Sequence, residues 1–178
     1  MKISKFNSSL SKEVIELFIN VFSASENEEE GHITGNLVSN IIETTEPQDL
    51  IGFVASSSDT VIGCIFFSRF VVPNNQTAFM LSPVAIATNE QGKSIGQKLI
   101  RHGLNHLKSM NTDLVFTYGD PNYYSKVGFR PISENVVSAL FKLSQPEGWL
   151  AQSLDGGAIN PMQGATTCVE AFNDPAIW

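Results

Sequence analysis

Val84-Ala85-Ile86-Ala87-Thr88-Asn89-Glu90-Gln91-Gly92-Lys93-Ser94-Ile95-Gly96 is the stretch on which the fold turns. It opens as an apolar strand, crosses a polar loop, and enters a helix expected over Ser94 to Met110, whose apolar positions are Ile95, Leu99, Ile100, Leu104 and Leu107. At a strand-loop-helix junction the first helical N–H groups have no partners inside the helix, and the helix dipole adds about half a positive charge. Phosphate oxygens bind well there, and glycines let the backbone come close to them. Between Gln91 and Thr112 stand four bases (Lys93, Lys98, Arg101, Lys108) and no Asp or Glu. The segment is a basic island in a chain of formal charge −7, suited to an anion.

Upstream, residues 1 to 7 read as a short edge strand. Ser11 reads as an N-cap, with Leu10 and Ile15 placed as a hydrophobic staple. Val14, Leu17, Phe18, Val21 and Phe22 then form one apolar helical stripe, which predicts core. Ser25 to Gly31, with Glu26, Glu28, Glu29 and Glu30, reads as a loop before a weaker helix over about Ile33 to Ile42. Strands follow at Asp49 to Ser56 and Thr60 to Phe70, joined by the turn Ser57-Ser58-Asp59. A further strand, about Thr77 to Ile86, contains Pro83, which cannot donate to a ladder and marks a bulge, an edge or a parting of strands. Downstream, Leu114 to Tyr118 is a short buried strand and Pro121 to Lys126 a short helix; beyond Glu134 the pattern is mostly strand and loop. The order β-α-α-β-β-β-α-β-α-β is that of an α/β fold with a mostly antiparallel first half.

The chain's 178 residues suit one domain with a sizeable core, and its composition, 42% hydrophobic and 16% charged, is globular. No stretch approaches the roughly 20 apolar residues of a membrane span. The N-terminus lacks an apolar signal region, so a cytoplasmic protein is expected. The acidic balance disfavours nucleic acid and suits a cationic partner. Cys64 lies in the apolar run Val61 to Phe67 and reads as a buried hydrophobe; with Cys168 it makes neither a disulfide framework nor a zinc site. His102 and His106 are four apart on the helix after the loop, but no Cys, Asp or Glu accompanies them there, and no metal is expected.

Two families use a phosphate-binding turn of this kind. Ala87 to Ser94 resembles a Walker A loop, yet Ala87 stands where the opening glycine of G-x-x-x-x-G-K-S/T belongs. No strand ending in a magnesium-binding Asp follows, since Asp120 is succeeded directly by Pro121. Gln91 to Gly96 also resembles the pyrophosphate loop of the GNAT superfamily of N-acetyltransferases, Gln/Arg-x-x-Gly-x-Gly/Ala. Leu81-Ser82-Pro83-Val84-Ala85-Ile86 looks like the fourth strand of that superfamily. Gly119-Asp120-Pro121-Asn122-Tyr123-Tyr124-Ser125-Lys126-Val127-Gly128-Phe129 resembles its YYxxxGF segment. Phe141-Lys142-Leu143 and Pro146 to Leu150 are similar to a subgroup of small bacterial predicted N-acetyltransferases.

The resemblance implies a mixed, mostly antiparallel sheet of about six or seven strands with about four helices, the fourth and fifth strands splayed. It also implies one domain over residues 1–178, with a core to about 143 and a family-specific extension from 144. The implied cosubstrate is acetyl-CoA. Val84, Ala85 and Ile86 would meet its pantetheine arm, and Gln91, Gly92, Lys93, Ser94, Ile95 and Gly96 its pyrophosphate. Tyr124 would donate a proton to the departing thiolate, with Tyr123 left to packing. The acceptor is an amine, small or on a protein; members are often dimers. Glu26, Glu28, Glu29, Glu30 and His32 are candidates for attracting that amine or taking its proton. One departure stands out: Ser94 occupies the position of a pattern glycine. Its side chain either crowds the pyrophosphate or adds a hydrogen bond, and a non-catalytic acyl-CoA-binding module of the same fold is the alternative reading.

Overall fold

In a computed structural model that describes residues 1–178, the first apolar stripe becomes the buried face of α1 (Ser11–Ser25), where Val14, Leu17, Phe18 and Val21 are buried. The helix start differs from the sequence reading. A 3-10 turn over Ser8–Leu10 runs straight into α1, capped by Asn7, whose side chain accepts from the Ser9 N–H. Ser11 donates its N–H to Ser8 O and is already helical (φ −55, ψ −45), so Leu10 stands at the cap position without a side-chain bond.

The acidic run is a helix start rather than a loop. Helix α2 spans Glu28–Thr44, capped by Asn27 Oδ1 accepting from Glu30 N at 3.0 Å. Glu28, Glu29 and Glu30 form its first turn, where carboxylates are favoured by the helix dipole. Gly31 and Gly35 are the buried face against α1: a Cβ on Gly31 would meet Ile19 O at 2.7 Å and would also collide with Ser23 Oγ.

The remaining elements are β1 (Lys2–Lys5), β2 (Leu50–Ser57), β3 (Thr60–Val71), β4 (Thr77–Ile86), α3 (Ile95–Ser109), β5 (Leu114–Tyr118), α4 (Pro121–Tyr124), β6 (Arg130–Pro131), β7 (Trp149–Ser153) and β8 (Thr167–Cys168). The first ten helices and strands follow the expected order. The strands form one eight-stranded sheet in the order β1-β2-β3-β4-β5-β7-β6, with β8 on β3. The expected six or seven strands omit the two-residue β8, which joins β3 only through Phe70↔Cys168 and Val71↔Thr167. Pairings β1–β2, β3–β8, β5–β7 and β6–β7 are antiparallel, and β4–β5 is parallel. Ser58 and Asp59 (φ 48 and 63) form the two-residue turn between β2 and β3, the mirror-image type that matches strand twist. No helix is long and apolar enough to cross a membrane.

The chain divides into two compact units. One comprises Met1–Phe66 and Pro83–Gly103, the other Phe67–Ser82 and Leu104–Trp178. In the first, Phe66 takes the ring of Phe6 edge-on (5.0 Å) and that of Phe18 in a stack (6.5 Å). In the second, Phe70, Phe116, Trp149 and Trp178 make one aromatic cluster. There the β4–β5 register runs Ala78↔Leu114, Phe79↔Val115 and Met80↔Phe116 and ends, three residues before Pro83.

Candidate active site

Each unit carries part of the predicted constellation. In the first, the end of β4 alternates between buried Pro83 and Ala85 and half-buried Val84 and Ile86. The Ala87 N–H donates to Ile62 O on β3 at 2.9 Å. Strand alternation then turns the peptide groups of Ala85 toward β3 and those of Val84 and Ile86 the other way. Gln91 Nε2 donates to Ile86 O at 3.0 Å, folding the loop onto the end of the strand. By the same alternation that side of β4 also carries the N–H and C=O of Val84 and the N–H of Ile86.

The loop continues as a 3-10 turn, Thr88–Glu90, and then alternates its backbone hand: Gly92 has φ +77 and Ser94 φ +61, with Lys93 between them on the negative side. Alternation of this kind makes successive N–H groups converge on a concavity that suits an anion. Gln91, Gly92, Lys93 and Ser94 are exposed, whereas Ile95 and Gly96 are buried in the first turn of α3. Lys93 Nζ is held by Glu90 Oε2 at 3.0 Å, so part of the charge expected to attract an anion is tied within the loop. Ser94 O accepts from Lys98 N at 3.1 Å and leads the helix in.

A left-handed conformation costs a non-glycine residue roughly 1–2 kcal/mol, which exceeds the entropy glycine loses on folding. Ser94→Gly is therefore expected to stabilise the protein by up to about 1 kcal/mol in urea unfolding. A loss of stability instead would mean that the Ser94 hydroxyl has a native partner worth more than the strain.

In the second unit, β5 ends at Tyr118 and Asp120 caps the turn that follows, its Oδ1 accepting from Asn122 N at 2.9 Å with Pro121 in the first turn. The chain winds through Tyr124, continues as a 3-10 turn over Ser125–Val127, and leaves at Gly128 (φ +100). Phe129 returns its N–H to Tyr124 O at 3.2 Å and sets its fully buried ring edge-on to that of Tyr124 at 5.8 Å. Gly119 makes room for the tyrosine, since a Cβ there would lie 2.7 Å from Tyr124 Cε2. On the strand before it, Thr117 Oγ1 donates to Leu81 O at 2.8 Å. Burial pushes the Tyr124 phenol up to about 12, against a smaller lowering by the Thr117 hydroxyl. Tyr123 packs edge-on against Tyr124 at 5.1 Å, and burial raises its hydroxyl too.

Glu26, Glu28, Glu29 and His32 are exposed and Glu30 is half-buried. His102 sets its ring edge-on to Phe53 at 4.7 Å. Cys64 is fully buried, and burial drives its thiol far up. Two features escaped the sequence reading. One is Thr117, visible in retrospect as a hydroxyl inside the apolar run Leu114 to Tyr118. The other is a cleft of about 460 Å³ in the first unit, lined by Glu13, Glu16 and Asn20 of α1 and by Thr60, Thr88 and Asn89 among others. Its residues come from three separate segments, which no local pattern connects.

Residues 12–129 match the family model for the acetyltransferase (GNAT) family. The uncharacterized N-acetyltransferase YjhQ of Escherichia coli (strain K12) is 29% identical over 125 residues, covering 67% of this chain and 69% of that protein. Among solved structures, the GNAT family N-acetyltransferase YhbS of Escherichia coli, in complex with CoA, superposes with a TM-score of 0.80 at 23% identity, over 97% of this chain and 92% of that one. A GNAT family acetyltransferase from Brucella melitensis, in complex with acetyl-CoA, gives 0.70 at 22% identity, over 96% and 97%. The two structures share the fold described above, and with the family match over most of the chain they lead to one conclusion: this protein belongs to the acetyltransferase (GNAT) family.

Proposed function

We propose that the protein transfers an acetyl group from acetyl-CoA to a primary amine. The observation that carries this reading is the turn from Gln91 to Gly96, with its alternating backbone hand, folded onto the end of β4 by the Gln91 bond to Ile86 O. These residues fit the cosubstrate: the N–H groups of the turn suit a diphosphate, and the strand edge suits the amides of a pantetheine arm. The complexes of the two relatives with CoA and acetyl-CoA support the same assignment.

When bound, acetyl-CoA supplies the acetyl group as a thioester with a thiolate leaving group. The chain's own part is to bind, orient and supply protons. The Val84 or Ile86 N–H stabilises negative charge on the carbonyl oxygen, which needs no side chain. Tyr124, kept protonated by its burial, gives a proton to the sulfur. An alkyl ammonium of pKa about 10.4 is neutral for only about one molecule in a thousand near neutral pH, so the acceptor must shed a proton before it attacks. The formal charge of −7 favours the approach of such cations.

Thermal unfolding with acetyl-CoA, CoA and Mg-ATP in parallel tests this. Ligand at about 100 times its dissociation constant adds about 2.7 kcal/mol, or about 5–10 °C for a chain of this size. The expected result is a shift with acetyl-CoA and CoA alone. No shift with either, or a shift only with Mg-ATP, would overturn the assignment.

A further inference from the structure

Glu90 is the one acidic residue between Asp59 and Asp113, and it stands immediately before the basic segment that begins at Gln91. The 3-10 turn Thr88–Glu90 places it there, closed by Glu90 N donating to Ala87 O at 2.8 Å. Gly92, at φ +77, then turns the chain, and Lys93 Nζ meets Glu90 Oε2 at 3.0 Å. Lys93 is the one base inside the turn from Gln91 to Gly96. The ammonium that this turn has to offer an anion is therefore bonded to a carboxylate of the same loop. A carboxylate beside a diphosphate repels it, so Glu90 works against the attraction the rest of the segment provides.

The two partners are unequal. The Glu90 side chain is 25% exposed and that of Lys93 57%, so the lysine is the freer of the two. Its charge sits on a flexible four-carbon stem that can change partners. An exposed pair of this kind is weak, worth a factor of about five at most in an equilibrium. A diphosphate brings two formal charges, and the N–H groups converging around Lys93 add bonds that Glu90 does not receive.

We propose that Glu90 is an internal counter-ion of the cosubstrate site, which holds Lys93 until the diphosphate of CoA displaces it. The inference rests on the reading of the turn as the diphosphate site. The exchange makes and breaks no covalent bond: Lys93 Nζ leaves Glu90 Oε2, and its N–H donors pass to phosphate oxygens. CoA is consequently held less tightly than the turn would hold it without Glu90. After acetyl transfer the exchange runs backwards, and the return of Lys93 to Glu90 favours departure of the product.

Calorimetric titration with CoA tests this. Glu90→Gln keeps the size and removes the charge; Glu90→Ala is the second variant, should the carboxamide keep a bond to Lys93. Removal of the carboxylate is expected to tighten CoA about three- to fivefold, and the gain to vanish in a Lys93→Gln background. Unchanged affinity in both Glu90 variants of a parent that binds CoA overturns this inference alone. Weaker binding does so as well, since Glu90 would then present Lys93 to the diphosphate rather than compete with it. An equal gain in the Lys93→Gln background also overturns it, because Glu90 would act as a general repelling charge. A parent that does not bind CoA overturns both this inference and the acetyl-CoA reading.

Discussion

Tyr124→Phe is expected to slow CoA thiol release about 100-fold while leaving the acetyl-CoA shift in unfolding temperature intact. Removing one hydroxyl spares the ring, which fills the space opposite Gly119 and meets the edge of Phe129, so the fold around it has no reason to change. A positioned general acid is worth about 10²–10⁴ in rate. The low end applies here because the departing group is a thiol, with a pKa of about 8.5 for an ordinary one, and it leaves tolerably well unaided. A hundredfold loss corresponds to about 2.7 kcal/mol of transition-state stabilisation. The pH dependence supplies a second readout. With its phenol pushed up to about 12, Tyr124 stays protonated through the neutral and mildly alkaline range, so it contributes no alkaline fall in rate below about pH 11. The rate should instead rise with pH toward about 10 as the alkyl ammonium loses its proton, in the parent and in Tyr124→Phe alike. Unchanged turnover in the variant would remove Tyr124 from the chemistry. An alkaline limb between pH 8 and 10 that vanishes in the variant would mean the phenol is far more acidic than its burial implies.

The residues that were legible in the sequence are those whose behaviour is set by near neighbours. The stripe of Val14, Leu17, Phe18, Val21 and Phe22 needs only helical spacing to be read as core, and it is buried but for half-buried Phe22 at its end. Ser58-Asp59 needs only two turn-forming residues between apolar runs. Leu114 to Tyr118 is bounded as the apolar run suggests, and the helix expected over Pro121 to Lys126 starts at the proline but gives way to a 3-10 turn after Tyr124. The errors come from competition between neighbouring local options. Ser11 and Asn7 could each cap a turn, and the 3-10 turn that Asn7 caps takes the N–H of Ser11. Glu28 to Glu30 look like a solvated loop until Asn27 is recognised as the cap that makes them a first helical turn. At Ser94 the departure from glycine was plain, but not that the backbone keeps the glycine conformation with a side chain attached. Thr117 was unreadable for another reason. Its partner, Leu81, lies on another strand, and the register that brings them together is a long-range property of the sheet.

The same long-range character governs the last part of the chain, where the largest effect on stability is expected. Trp149 opens β7 opposite Tyr118 of β5, and it is fully buried. Its ring stacks on Phe116 at 5.3 Å and meets Phe70 at 5.9 Å and Trp178 at 6.1 Å, while Nε1 donates to Val137 O at 2.9 Å. One side chain thus joins β5, β3, the segment around Val137 and residue 178 in the second unit. Trp149→Ala should cost about 3–5 kcal/mol, from lost burial and the cavity left behind. Against a typical total of about 5–15 kcal/mol this is a large share, and it should lower the unfolding temperature by about 6–20 °C. Trp149→Phe keeps most of the ring contact but leaves Val137 O without its donor, for about 1–3 kcal/mol. Urea unfolding followed by circular dichroism measures both without relying on the fluorophore being removed. A Trp149→Ala protein within about 1 kcal/mol of the parent would mean the cluster repacks around the vacancy. The ring contacts of Tyr124 are with Tyr123 and Phe129, so a folded Trp149→Phe protein should keep its rate of thiol release. Stability falling while turnover holds would separate the aromatic cluster from Tyr124; turnover falling in proportion would mean that the cluster sets the position of Tyr124 as well.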